Sequence, residues 1–358
     1  MPAPAPHRVI RLLKDGYWDR TEVLEMPDGS QRVRKRNRAD VESSPWGLES
    51  LRREIHYLAA IADRPAAAFP PLLDHWDQLT PSGRPDIGYD HPYYAKHRDA
   101  GQIARVGRVD QAEVDHFQDH LAAALLQEVH IPQAAPSPLS AHLQQAVTEA
   151  FTTLRQIPCL QRLIDTPQIR LNGHLARGPA TVWQEITQHS SLLTVLDQAP
   201  HTRIHGDFFL ENILWTSRPP SDTRSLILID PVSVAGVSVA PPVFDLVKYT
   251  SYAKGELLAL RSEWLTVAGF EPPSGPVAIP AYAYQLDYAH PQLAALRTLN
   301  WHSRFRAAFL AHHGPIDQRL YHLIDGYFSA AMAANTTGTQ QQARLLKAVF
   351  EFNAALAL

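Results

Sequence analysis

His205-Gly206-Asp207-Phe208-Phe209-Leu210-Glu211-Asn212-Ile213-Leu214 is the stretch on which the reading of this chain turns, together with Leu226-Ile227-Leu228-Ile229-Asp230-Pro231 a little further on. Asp207 and Asn212 flank a short loop after an apolar approach. A hydrophobic hairpin then returns and sets Asp230 at the end of a buried strand. Phosphoryl transfer to a hydroxyl requires a carboxylate near the attacking oxygen, and oxygen ligands for the magnesium that bridges the phosphates. Asp207 has the chemistry of the base or hydroxyl-orienting group. Asn212 and Asp230 have the chemistry of metal ligands, because magnesium keeps several waters, takes phosphate oxygens and needs few protein donors.

Upstream, the first hundred residues read as strands and one helix. Val9 to Leu13 and Thr21 to Leu24 are short apolar runs, and Asp28-Gly29 is a hairpin turn signal. Gln31 to Arg36 alternates, with Val33 and Lys35 on one face and Arg34 and Arg36 on the other. Ser43 to Gly47 reads as a loop. Leu51, Ile55, Leu58 and Ile61 then recur at helical spacing. Ala66 to Leu73 turns through prolines, and Tyr93-Tyr94 lies in a short strand-like stretch.

Downstream of Val109 the character changes to helix. Asp110 to Val129 carries Val114, Phe117, Leu121 and Leu125 at helical spacing, Pro132 to Pro138 is a linker, and helices follow at Leu139 to Gln156 and around Pro179 to Leu196. Ile204 to Trp215 and Leu226 to Ile229 read as strand, loop and strand. From Phe244 onward the pattern is nearly all helix, broken at Pro272 to Pro280 and at Gly314-Pro315. The expectation is an α+β, bilobal chain: residues 1–100 form a small antiparallel-sheet lobe that binds nucleotide, and residues 101–358 form a large, mainly helical lobe for catalysis and acceptor binding.

His205-Gly206-Asp207 with Asn212 resembles the catalytic loop of the aminoglycoside phosphotransferase and choline kinase-like family, and is similar to the His-Arg-Asp...Asn loop of protein kinases. Asp230 matches the family's second metal-binding aspartate. Phe244-Asp245-Leu246 resembles the segment that opens a large-lobe helix, where the resemblance implies that Asp245 braces the catalytic loop. His205 reads as a brace for the same loop rather than an acid or base. The resemblance implies a protein-kinase-like fold, ATP as co-substrate with GTP left open, Mg2+ as the metal, and a small-molecule hydroxyl as acceptor. It also implies a lysine on the phosphates with a glutamate to hold it. Lys35 suits the first place. Glu54, in Arg53-Glu54-Ile55-His56-Tyr57-Leu58, suits the second, with Glu49 as its rival. The basic run from Arg32 to Arg38 equally fits a solvated face. Gly16 to Val23 is the candidate phosphate loop, with Gly16 its one glycine, and Tyr93 to Lys96 the adenine hinge, through Tyr94 and Ala95. Two departures stand out. Phe209 occupies the place of a histidine frequent in the family, and Pro231 follows Asp230 where protein kinases carry Phe-Gly.

Bulk properties narrow the alternatives. The chain has 358 residues and 33 basic against 36 acidic side chains, a net charge of -3, so nothing in its charge directs it to nucleic acid or to a membrane surface. The lone cysteine, Cys159, allows no internal disulfide and fits a reducing cytoplasm. His116 and His120 could share a metal at i, i+4 spacing, but a solvated helix face accounts for them as well. Six acidic residues of the large lobe, Asp165, Glu185, Glu256, Glu263, Asp287 and Asp325, are the candidates for the acidic pocket a cationic aminoglycoside would need. The leading expectation for the acceptor is an aminoglycoside or other antibiotic, hence resistance. A metabolic or natural-product sugar or alcohol kinase is the alternative, and a non-catalytic pseudokinase comes from another class.

Overall fold

Alternation builds the first lobe. Strands Arg8–Asp15 (β1), Asp19–Glu25 (β2) and Gln31–Asn37 (β3) form antiparallel pairs, and β3 buries Val33, Lys35 and Asn37 while Arg32, Arg34 and Arg36 face outward. The computed structural model describes residues 7–16, 19–38, 45–62, 68–106, 108–135, 137–188, 190–217, 224–232, 236–271 and 279–358. Helix Pro45–Ile61 (α1) follows, and strands Asp74–Leu79 (β4) and Pro85–Pro92 (β5) complete a five-stranded sheet of order β1-β2-β3-β5-β4. Leu51, Ile55 and Leu58 of α1 are buried with Ile87 and Tyr89 of β5, which fixes the helix beside the strand that carries Lys35. The helix starts at Pro45, inside the stretch expected to be loop, and residues 43–44 lie outside the described residues. So does part of the expected proline turn, residues 66–67.

A short strand, Arg98–Asp99 (β6), leads into helices Ala100–Val106 (α2) and Gln111–Ala124 (α3). A capping box starts α3: Glu113 N–H donates to the Asp110 side chain and Asp110 N–H donates to that of Glu113. Instead of stopping at Ala124, the chain widens into a π-helical turn, Leu125–Val129, that delivers His130 into the interior. Helices Leu139–Leu154 (α4) and Pro158–Asp165 (α5), strands Gln168–Leu171 (β7) and His174–Arg177 (β8), and helices Pro179–Gln188 (α6) and Ser190–Gln198 (α7) come next. Strand Thr202–Arg203 (β9) feeds the loop at Asp207, and strands Ile213–Trp215 (β10) and Leu226–Leu228 (β11) form the hairpin that returns to Asp230. Strand Val239–Ala240 (β12) pairs with β9, and helices Val243–Ala253 (α8) and Glu256–Arg261 (α9) follow it.

Strands Leu265–Ala268 (β13) and Ala281–Leu286 (β14) depart from the expected helix. With β7 and β8 they form a four-stranded sheet of order β13-β14-β7-β8, in which β14 and β7 run parallel. The alternation of β14 explains the difference, since Tyr282 and Leu286 are buried while Ala281 and Gln285 are exposed. Residues 272–278 of the expected proline break lie outside the described residues. Helices Pro291–Thr298 (α10), Ser303–His313 (α11), Gln318–Ala334 (α12) and Gly338–Ala357 (α13) close the chain.

Two apolar cores result. One runs from α1 and β5 through Phe69 to Phe208, Phe209 and Leu210, and on to Tyr249, Trp301 and Phe305. The other joins α4 to α7 with α12 and α13. The first includes residues on both sides of residue 100, so the expected lobe boundary cuts through a shared core. Among the described residues no helix is long and apolar enough to cross a membrane.

Candidate active site

Lys35 is buried, and its Nζ lies 2.8 Å from Glu54 Oε2, 2.9 Å from Asp230 Oδ1 and 3.5 Å from Asp19 Oδ2. The Tyr89 hydroxyl donates to the same Glu54 oxygen at 3.0 Å. Glu54 rather than Glu49 thus meets the lysine; Glu49 is exposed and 3.9 Å from Arg52. Burial alone would lower the lysine's pKa, but Asp230 and then Glu54 outweigh it and raise it well above the ordinary value. Burial pushes Glu54 up to about 7 despite Lys35. Burial works the same way on Asp230, yet Lys35 and Lys14 outweigh it and hold that carboxyl at about 2. Asp19, Glu54 and Asp230 thus converge on one ammonium, and Lys14 Nζ lies 3.4 Å from Asp19 Oδ1.

The loop that presents Asp207 is held from below by Asp245, in the first turn of α8. Its Oδ2 accepts from His205 N–H at 2.8 Å and from His130 Nε2 at 3.0 Å, and its Oδ1 accepts from Gly206 N–H at 2.7 Å. Gly206 has φ of 79°, a left-handed conformation that glycine adopts without a Cβ penalty. His205 is fully buried and held neutral, chiefly by desolvation, and its Nδ1 accepts from Asp207 N–H at 3.3 Å. On the other side, Val232 N–H donates to His205 C=O at 2.6 Å and Ile229 N–H to Asn212 C=O at 3.0 Å. Between those bonds Asp230 sits at φ 55° and Val232 at φ 53°. Each is a conformation that costs roughly 1–3 kcal/mol for a side chain other than glycine. From this backbone the Asp230 carboxylate meets Lys35.

Asp207 and Asn212 face each other. The Asn212 amide nitrogen donates to Asp207 C=O at 2.9 Å and to its Oδ2 at 3.2 Å, which orients the amide oxygen away from the aspartate. Asp207 Oδ1 has Lys248 Nζ at 3.2 Å, an ion pair without hydrogen-bond geometry. Lys248 is buried on α8, one turn after Asp245, and desolvation lowers its pKa although Asp207 opposes the shift. Asp207, Asn212 and Lys248 open, with Asp19, Lys35, Glu54 and Asp230, onto one cleft of about 320 Å³ between the two lobes.

Gly16 also lines that cleft, its N–H donating to Asp19 C=O at 2.8 Å. A Cβ there would come within 2.5 Å of Asp19 Oδ1, so a larger residue would have to displace that carboxylate. The adjoining residues 17–18 lie outside the described residues. Tyr94 and Ala95 follow β5 in a turn closed by His97 N–H to Tyr94 C=O at 2.9 Å; among the described residues, neither lines the cleft. His116 and His120 are exposed with ring centres 4.3 Å apart, and their neighbours Asp115 and Asp119 face Arg304.

Several site residues escaped the sequence reading. Asp19 and Tyr89 complete the Lys35 network. His130 and His313 form a relay to Asp245, with 2.9 Å between His130 Nδ1 and His313 Nε2. Lys248 had a signal, a lysine among apolar residues one turn after the Phe-Asp-Leu segment. Arg261 and Arg344 had none, since only the tertiary fold brings α9 and α13 to the cleft.

A small sheet lobe over a helical lobe, with a lysine–glutamate pair facing two aspartates and an asparagine across the cleft, defines a class: the protein-kinase-like small-molecule phosphotransferases. The chain belongs to the phosphotransferase enzyme family, whose model matches residues 10–276. Among solved structures it is similar to the GDP complex of wild-type aminoglycoside 2'-phosphotransferase-IIIa, with 14% identity, 98% of this chain and 93% of that one covered, and a TM-score of 0.52. It is also similar to a protein described as a fructosamine-3-kinase from Thermobifida fusca, with 13% identity, 99% and 95% covered, and a TM-score of 0.51. At these identities the likeness shows the fold. No curated protein sequence matches the chain.

Proposed function

We propose that this phosphotransferase moves the γ-phosphate of ATP onto a hydroxyl of a small molecule, with Asp207 orienting the hydroxyl and taking its proton. The supporting observation is that Asp207 lines the same cleft as the Lys35–Glu54 pair and Asp230. Lys35 neutralises the nucleotide phosphates, held in place by Glu54, while the backbone at Gly16 borders them. Magnesium fits the residues present, which offer oxygen donors: Asn212 has an amide oxygen turned away from Asp207, and Asp230 has a carboxylate held ionised. Asn212 and Asp230 would hold the ion, and when bound it supplies charge neutralisation at the β- and γ-phosphates. Among the described residues no cluster of three or more His, Cys, Asp or Glu side chains forms a cage, in keeping with an ion that arrives with the nucleotide. Catalysis is then largely positioning and electrostatic stabilisation.

The metabolic acceptor finds more support than the antibiotic one. Of the six acidic residues considered for an aminoglycoside pocket, Asp165 pairs with Arg155, Glu185 with Arg177, and Glu256 and Asp325 with Lys347. Asp287 accepts from Ala289 N–H, and none of the six lines the cleft. Purified protein assayed with Mg2+, ATP and hydroxyl compounds of each charge class tests the reaction. Asp207→Ala should lower kcat by about 10²- to 10⁴-fold, the usual contribution of a positioned base, and leave binding of a non-hydrolysable ATP analogue unchanged. Full turnover in that variant would remove Asp207 from the mechanism. Nucleotide binding without turnover of any acceptor by the unaltered chain would favour the pseudokinase reading.

A further inference from the structure

The large-lobe wall of the cleft carries three cations, Lys248, Arg261 and Arg344, and beside them the neutral side chains of Asn335 and Gln340. Two of the cations are matched. Lys248 faces Asp207, and Arg261 lies 2.6 Å from Glu211 Oε2 with its guanidinium 5.0 Å over the Phe209 ring. Arg344 is different. It is 3% exposed, and among the described residues no carboxylate lies within ion-pair distance of it and its Nε has no hydrogen-bond partner. Desolvation and then Arg261 lower its pKa to about 10, so it stays charged at neutral pH. A buried cation without a counter-charge is unfavourable relative to one in water. Planar guanidinium groups are suited to bidentate recognition of carboxylate or phosphate. Every carboxylate lining the cleft, Asp19, Glu54, Asp207 and Asp230, belongs to the nucleotide and catalytic half.

We infer that the acceptor is an anionic hydroxyl compound, a sugar acid or a sugar phosphate, whose carboxylate or phosphate is received by Arg344 with Arg261 beside it. This rests on the phosphotransferase reading above. In the reaction, the acceptor oxygen forms a bond to Pγ and the bond from Pγ to the β,γ-bridging oxygen breaks. ADP leaves with the electron pair, and the hydroxyl proton passes to Asp207 and then to water. The product bears a new phosphate ester beside its original anionic group. An arginine on the remote anion fixes where the hydroxyl falls relative to Asp207, which is orientation obtained from a non-reacting part of the substrate.

The test uses the full chain with the nucleotide site filled by Mg2+ and a non-hydrolysable ATP analogue, so that no anion can occupy the phosphate positions. Gluconate, glucose 6-phosphate, glucose, glucosamine and kanamycin are titrated by calorimetry against the unaltered chain and R344Q. The expected result is that one of the two anions binds at least tenfold more tightly than glucose, glucosamine and kanamycin, and loses tenfold or more of that affinity in R344Q. Gluconate and glucose 6-phosphate separate a carboxylate from a phosphate as the group received. In the absence of ligand, R344Q should unfold at the same temperature as the unaltered chain or higher, whereas loss of a merely structural arginine would lower it. Tighter binding of kanamycin or glucosamine, no binding of either anion, or equal anion affinity in R344Q would each overturn the inference. So would weakened binding of the ATP analogue in R344Q, which would give Arg344 to the nucleotide. Failure of the analogue to bind at all would instead remove the phosphotransferase reading itself.

Discussion

Glu54 shows how one side chain sets two opposed pH dependences. Burial favours its acid form and raises its pKa from 4.5 to about 7, while Lys35 at 2.8 Å pulls the other way. Between those values the folded chain binds a proton that the unfolded chain has released. The stability from this group is therefore fully present below about 4.5 and is lost as pH rises through about 7, by at most about 3 kcal/mol. The proposed role in holding Lys35 on the phosphates calls for the carboxylate, so activity should rise over the same interval. Glu54→Gln removes the titration. Urea unfolding from pH 5 to 8 should show the unaltered chain losing stability relative to the variant, while the ratio of its activity to the variant's grows. Parallel stability curves for the two proteins would mean that Glu54 titrates alike in both states. That Lys35, Asp207, Asn212 and Asp230 share one cleft was legible in the sequence from the spacing of the His-Gly-Asp segment, Asn212 and Asp230, and from alternation on β3, which separates the buried lysine from the outward arginines. Nothing in a one-dimensional pattern announces an arginine from α13 that reaches the same cleft.

At the level of elements, the loop that carries Asp207 depends on a carboxylate from another helix. Asp245 accepts three hydrogen bonds with its two oxygens, two from loop backbone N–H groups and one from His130. Its place in the first turn of α8 adds the favourable end of the helix dipole. Asp245→Asn would turn an amide NH2 toward N–H donors and leave at least one buried donor unpaired, a loss of about 1–3 kcal/mol for each such group. The expected outcome is a melting temperature lowered by several degrees and a fall in kcat larger than any rise in the KM for ATP, since the loop and not the nucleotide pocket is displaced. A variant with unchanged kcat and melting temperature would show that the loop keeps its shape without this brace. The Phe-Asp-Leu segment made the aspartate legible, but its partner His130 was not. That histidine sits after a π-helical turn, a local irregularity that helical periodicity does not register. The sheet of β7, β8, β13 and β14 was missed for a related reason. Strands of four to six residues, with one parallel pairing between β7 and β14 across a long stretch of chain, leave too short a pattern to stand out from helix.

Across the whole molecule, aromatic rings join the small lobe to the large one through the loop that carries Asp207. Ring centres lie 5.2 Å apart for Tyr57 and Phe69, 5.6 Å for Phe69 and His205, 5.6 Å for His205 and Phe208, and 4.5 Å for Tyr249 and Phe305, with Phe208 within 5.8 Å of both of the last two. Independent lobes would meet at a smaller, more polar interface and move separately. Here the core that seats α1 is continuous with the one beneath Asp207, so the lobes should unfold together and a change in one should be felt at the site in the other. Phe69→Ala tests both halves of that statement. The residue is 5% exposed, and its loss should lower stability by about 3–5 kcal/mol, the usual range for a buried phenylalanine. Calorimetry of the unaltered chain should give one transition whose van't Hoff and calorimetric enthalpies agree, and the variant should give one transition at lower temperature. Because Phe69 packs on His205, kcat should fall in the variant even at temperatures where it is fully folded. Two separate transitions, or a destabilised variant with undiminished kcat, would mean that the rings fill space between lobes that otherwise act apart.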